Sequence, residues 1–214
     1  MLITRASDPA APILVMGHGA GAGEGHPWMR RVADGLAERG VSVITFDFPY
    51  MAAKRRVPDA APVLETAFAE MWRATVTAHD AAQVRPRACF AGGKSMGGRI
   101  SSQAAARGLF DPAPVGLVFF GYPLHPPGKP AVRRDRHLPE VGMPMLFLHG
   151  ERDPFGAPDE MQDLASRLTN ATLHLVPGGD HSLVAPKRAD PSGQSLTTAL
   201  DVAAKWMRAM NLAR

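Results

Sequence analysis

Gly92-Gly93-Lys94-Ser95-Met96-Gly97-Gly98 is the stretch that decides how this chain reads. It follows an apolar run, Ala88-Cys89-Phe90-Ala91, and precedes a helix-forming segment, Arg99 to Arg107. Within it, Gly93-Lys94-Ser95-Met96-Gly97 fits G-x-S-x-G, and between a strand and a helix that pattern is a nucleophile elbow. The turn must be sharp enough to lift a serine hydroxyl above the end of a sheet. Side chains two residues either side would collide there, and glycine has no Cβ to collide. The N–H groups opening the next helix face charge that develops on a substrate. Two rival readings compete. Gly- and Ser-rich loops produce G-x-S-x-G by chance. Gly93-Lys94-Ser95 also looks like the end of a phosphate loop, but G-x-x-x-x-G-K-S needs glycine at 88, and the chain has Ala88. The residues downstream of the elbow arbitrate, by whether a base and an acid stand in the right order.

The 214 residues suit one α/β domain over 1–214 with a sizeable core. The formal net charge is +4, and the basic residues are scattered except at Lys54-Arg55-Arg56 and Arg133-Arg134-Asp135-Arg136. Neither cluster is interleaved with stacking aromatics, so no nucleic-acid partner is expected. One cysteine excludes an internal disulfide and fits a reducing compartment. Cys89 is expected to be a buried packing residue. No apolar run approaches ~20 residues, and no basic segment leads into a long apolar core at the N-terminus. No membrane partner is expected, and a cytoplasmic location is the default. No His/Cys/Asp cluster has metal-ligand spacing, so neither a metal nor another cofactor is expected.

Working outward, Met1 to Pro12 has room for one edge strand. Ile13-Leu14-Val15-Met16, between Pro12 and Gly17, reads as a strand buried on both faces. It runs into Gly17-His18-Gly19-Ala20-Gly21-Ala22-Gly23. Trp28 to Arg39 has a helical apolar stripe and ends at Gly40. Val41 to Phe46 is a second strand, Phe48 to Pro62 a proline-punctuated loop, and Val63 to Gln83 a long helix. After the elbow come a strand over Val115 to Phe120 and a proline-rich basic loop over Tyr122 to Pro144. Strands over Met145 to Leu148 and Ala171 to Val176 flank a helix over Pro158 to Leu168. An amphipathic helix, Ser195 to Met210, closes the chain. Strands alternating with helices imply a mostly parallel sheet in a three-layer α/β/α sandwich.

Sites in such sheets lie at the C-terminal strand ends. After Met145–Leu148 comes His149-Gly150-Glu151-Arg152-Asp153-Pro154-Phe155-Gly156. After Ala171–Val176 comes Pro177-Gly178-Gly179-Asp180-His181-Ser182. The order Ser95, Asp153, His181 is that of a serine nucleophile, acid and base. A serine hydroxyl is a poor nucleophile at neutral pH. His181 would take its proton, and Asp153 would hold the imidazole tautomer. The oxyanion would meet the Met96 N–H and, from the loop after the first buried strand, the Ala20 N–H. Glu151 competes with Asp153 for the acid's role, and Asp153 could instead cap the next helix. Gly121 leaves no carboxylate after the fourth strand. His18 and His149 read as structural, bonding loop backbone, and Asp47 as a loop anchor.

Taken together, these segments resemble the α/β-hydrolase superfamily, and within it a small cap-less, testis-expressed-like group related to dienelactone hydrolases. The resemblance rests on Gly17-His18-Gly19-Ala20-Gly21, Phe46-Asp47-Phe48-Pro49-Tyr50, Gly92 to Arg99, Gly121-Tyr122-Pro123-Leu124-His125-Pro126, Gly150 to Gly156 and Gly178 to Ser182. It runs from about residue 13 onward and implies the same triad of Ser95, Asp153 and His181. It implies no substrate. The departure is at the N-terminus: residues 1 to 12 are too short for the usual first hairpin, so about six main strands are expected.

The expected function is a serine hydrolase cleaving a carboxylic ester or similar acyl bond of a small molecule through an acyl-enzyme. Tyr122 to Pro144 is too short for a helical cap, which suits small or accessible esters. Lys94, Arg55 and Arg56 raise the idea of an anionic substrate, against a plain solvated-charge reading. The alternative is a catalytically weak interaction or scaffold domain, since the group includes chromatin-complex subunits. A remoter reading keeps the triad for thioester or peptide cleavage.

Overall fold

The computed structural model describes residues 1–81 and 88–212. The elements run β1 (Leu2–Thr4), β2 (Ile13–Gly17), α1 (Pro27–Glu38), β3 (Ser42–Phe46), α2 (Pro49–Ala52), α3 (Ala61–Ala81), β4 (Cys89–Lys94), α4 (Met96–Ala106), β5 (Leu117–Phe120), β6 (Met145–Gly150), α5 (Pro158–Arg167), β7 (Ala171–Val176) and α6 (Gln194–Leu212). The sheet order is β1-β3-β2-β4-β5-β6-β7. β1 is antiparallel to β3, and all other neighbours are parallel. The short apolar runs become strands covered on both faces: β2, β5 and β6 are buried along their whole length.

Two cores flank the sheet. On one face α3, α4 and α5 pack Phe68, Trp72, Ile100 and Leu164 against Phe46, Phe119 and Phe147. On the other, α1 and α6 pack Met29, Leu36, Leu200 and Met207 against Leu14, Phe120 and Leu148. Successive strand residues point to opposite faces, which is why Phe119 and Phe120 serve different cores. β4 lies between β2 and β5, so the serine at its end sits near the middle of the sheet's C-terminal edge.

The expected six strands appear as six parallel ones plus β1, a three-residue edge strand in which Ile3 pairs with Ile44. The segment read as a loop from Phe48 to Pro62 contains the helical turn α2 and the start of α3. Pro49 and Pro62 stand in first turns, where a missing N–H removes no helical bond. α3 is described to Ala81, and the expected end at Gln83 lies outside the described residues. Cys89, the first residue of β4, is half-buried against the first core, not fully buried.

Residues 122–144 pack down onto the fold. Tyr122, Leu124 and Leu138 are fully buried. The Tyr122 hydroxyl donates to the Arg134 carbonyl at 2.8 Å, and Arg133 bridges Asp135 (2.7 Å) and Glu160 of α5 (3.2 Å).

Trp72 donates its indole N–H to the Pro112 carbonyl at 2.7 Å. Trp72→Phe keeps most of the packing and orphans that carbonyl. The expected cost is about 1–3 kcal/mol, read as a lower urea midpoint at unchanged slope.

Candidate active site

Ser95 adopts φ 50° and ψ −112°, a strained conformation for a residue with a Cβ. Its surroundings leave no other path. A Cβ on Gly97 would stand 2.1 Å from the Gly17 carbonyl oxygen, and one on Gly93 would stand 2.4 Å from the same atom. The end of β2 therefore presses directly on the turn between β4 and α4. α4 begins at Met96, three residues before the helix anticipated at Arg99, because the chain turns entirely at Ser95.

His181 stands after β7 and Asp153 after β6. The His181 Nδ1–H donates to Asp153 Oδ2 at 2.7 Å, which commits Nδ1 and leaves the ring's acceptor role to Nε2. The other carboxylate oxygen accepts the Phe155 N–H at 2.9 Å. The Phe155 ring lies against the imidazole, with centroids 4.2 Å apart and planes at 30°. Burial alone would raise the Asp153 pKa. The hydrogen bond and charge of His181, the charge of His149 and the Phe155 N–H outweigh it and hold the carboxyl below its ordinary range. Glu151, the competing acid, instead accepts the Gly178 N–H at 2.9 Å.

His149 donates from Nε2 to the Gly156 carbonyl at 2.9 Å, and burial lowers its pKa. His18 is likewise committed to backbone. It bonds the Gly19 carbonyl through Nδ1 at 2.7 Å and accepts the Phe48 N–H at Nε2 at 3.0 Å. Asp47 Oδ1 accepts the Glu24 N–H at 2.7 Å, and the Tyr50 hydroxyl donates to the Ala20 carbonyl at 2.8 Å. Residues 47–50 thus tie down the loop carrying Ala20.

Ser95, His181, Ala20, Trp28, Met29 and Phe155 are among the residues lining one cavity of about 270 Å³. Met96 opens α4, and the first amides of a helix have no intrahelical acceptor. Sequence reasoning misses Trp28, Tyr50 and the part played by Phe155. Phe155 and Tyr50 lie inside the segments that carry the family resemblance, but Trp28 gives no signal beyond its place in the stripe of α1. Of the three basic residues set against an anionic substrate, Lys94 bonds the His181 carbonyl and Arg55 pairs with Asp59 at 2.7 Å.

Residues 10–210 match the protein family described as alpha/beta hydrolase domain. Among solved structures, Est1E from Butyrivibrio proteoclasticus with ferulic acid bound is similar at TM-score 0.69 and 14% identity, over 97% of this chain and 94% of that one. A dienelactone hydrolase from Anabaena variabilis aligns at TM-score 0.68 and 19% identity, over 96% and 89%. A lidless α/β serine hydrolase from Xanthomonas campestris aligns at TM-score 0.66 and 20% identity, over 94% and 83%. At these identities the likeness is one of fold.

Proposed function

The chain belongs to the alpha/beta hydrolase family, and on that premise we propose that it is a serine hydrolase of small carboxylic esters or similar acyl compounds. The observation that carries this reading is the His181–Asp153 bond of 2.7 Å beside a cavity that Ser95 also lines. Ser95 Oγ attacks the acyl carbonyl while His181 Nε2 takes its proton. The Met96 and Ala20 N–H groups receive the oxyanion. His181 returns the proton to the leaving alcohol. It then activates water to release the acid from Ser95. Asp153 keeps Nδ1 protonated throughout and stabilises the imidazolium. The dienelactone hydrolase and the lidless serine hydrolase among the structural neighbours support this class of chemistry.

Fluorophosphonate labelling read by intact mass tests the proposal. Wild-type protein is expected to gain one adduct, and Ser95→Ala and His181→Ala to gain none. A folded wild type that takes no label overturns it in favour of the scaffold reading.

The cavity favours small, uncharged substrates. Trp28, Met29 and Phe155 give it apolar walls, and the Lys94 ammonium is bonded to the protein itself. Its volume of about 270 Å³ holds a short acyl group. Acetyl and butyryl esters are expected to exceed dodecanoyl esters, and neutral esters their anionic half-ester analogues, by at least about tenfold in kcat/KM. A chromogenic ester panel measures both ratios.

A further inference from the structure

Lys94 is the residue immediately before Ser95, yet its side chain serves the opposite side of the site. Its Nζ donates to the main-chain carbonyl of His181. The same Nζ stands 5.3 Å from the centre of the Trp28 ring, within cation–π range. Trp28 in turn donates its indole N–H to the Ser182 carbonyl at 2.9 Å. Two consecutive carbonyls of the loop that carries His181 are therefore held from outside it, one by β4 and one by α1. Phe120 of β5 braces the indole edge-to-face, with centroids 6.0 Å apart.

The room for this contact comes from Gly121. It has φ +68°, in the left-handed region that favours glycine. A Cβ there would lie 2.7 Å from the His181 carbonyl oxygen and 3.1 Å from Lys94 Nζ. Any side chain at 121 would occupy the place where ammonium and carbonyl meet.

We propose that Lys94 is a positioning residue for His181: its ammonium, roofed by Trp28 and admitted by Gly121, holds the His181 carbonyl and so fixes where the imidazole stands relative to Ser95. This rests on the serine-hydrolase reading for its catalytic consequence, but the placement of the ring is separately observable.

A buried ammonium is costly unless its donors are used. Lys94 is 9% exposed. Burial pushes it down to about 8, against the opposing pull of Asp153 and Asp180. The charged and titratable groups facing it are His149 of β6, Asp153 after β6, and Asp180 and His181 after β7. Below that pH the ammonium makes a charge-assisted bond to the carbonyl and a cation–π contact. As pH rises through it, the neutral amine loses both advantages. The catalytic rate is therefore expected to fall on the alkaline side.

Lys94→Met is the test, with folding checked by circular dichroism and melting. The first readout is the downfield proton resonance of the His181 Nδ1–H bonded to Asp153, assigned by its absence from His181→Ala. It is expected to be sharp in wild type at neutral pH and broadened or shifted in Lys94→Met. The second is kinetic. In Lys94→Met, kcat should fall about 10- to 100-fold with KM within about twofold, as for a displaced catalytic group, and the alkaline limb near pH 8 should disappear. A folded Lys94→Met with an unchanged resonance overturns the proposal. An alkaline limb retained in that variant also overturns it. If Lys94→Met does not fold, Lys94→Gln serves in its place. It removes the ammonium, and with it the charged bond to the His181 carbonyl and the contact with the Trp28 ring, so an unchanged resonance there is equally fatal. Wild type that shows the resonance but takes no fluorophosphonate label would instead fail the hydrolase reading, leaving the Lys94 seat to be judged on the resonance alone.

Discussion

Asp153→Asn is expected to lower kcat for a small ester by about 10⁴-fold, with KM changed far less. The two carboxylate oxygens have different partners. Oδ1 accepts the Phe155 N–H at 2.9 Å, and Oδ2 accepts the His181 Nδ1–H at 2.7 Å. An asparagine has one oxygen and one NH₂ to put in those two places. With its oxygen kept on Phe155, its NH₂ faces His181 Nδ1, which must then be an acceptor. The imidazole proton moves to Nε2, and the nitrogen meant to receive the serine proton is already protonated. The flipped amide would set two buried donors, the NH₂ and the Phe155 N–H, against each other, at a cost of about 1–3 kcal/mol. The shape of the site is conserved in both cases, so the loss is one of proton placement. Steady-state rates of the variant and of Asp153→Asn combined with His181→Ala measure it. The double variant should be within a few fold of the worse single one, because residues acting as a unit are not additive. A single-variant kcat within about tenfold of wild type would remove Asp153 from the proposed mechanism.

How much of the molecule is legible in its sequence depends on how local each signal is. β2, β5 and β6 are short apolar runs between glycines and prolines, and strands buried on both faces have that composition. The elbow is legible because its steric demand is met by glycines within two residues of Ser95. Asp153 and His181 are legible as residues just past successive strands, although 28 positions separate them in sequence. The bond between them is a consequence of β6 and β7 being parallel neighbours.

The part that stays hidden is made of contacts between distant segments with no pattern of their own. In the sequence Lys94 looks like a free cation near a substrate. Only the fold brings the His181 carbonyl, 87 residues on, to its ammonium. Trp28 looks like one more apolar residue of α1, yet its indole N–H reaches Ser182, 154 residues away. Residues 49–52 are hidden for another reason. Proline is punctuation in a loop and also a good first-turn residue, so Pro49 and Pro62 support either reading until packing decides. Tyr50 falls inside that ambiguity, and so does its bond to the Ala20 carbonyl.

Gly97→Ala is expected to destabilise the protein by about 4–5 kcal/mol or more, among the largest effects of any single methyl group. Helix propensity points the other way, since alanine within a helix is favoured over glycine by about 1 kcal/mol. Sterics decide the sign. The added Cβ would stand 2.1 Å from the Gly17 oxygen, 2.3 Å from its carbonyl carbon and 2.9 Å from its Cα. All three are backbone atoms of β2, a central strand, so no side chain can rotate away. Relief requires α4 to lift off the sheet, which uncovers Ile100 and Ala104 from the core beneath. For a chain of this length each kcal/mol is worth about 2–4 °C, so the melting temperature should fall by about 10 °C or more. Gly25→Ala is the matched control. A Cβ there meets nothing within 4 Å, and its effect should stay within about 0.5 kcal/mol. If Gly97→Ala melts with the control, the close approach of α4 to β2 does not hold in solution. The strained geometry at Ser95, which depends on that approach, would then have to be abandoned with it.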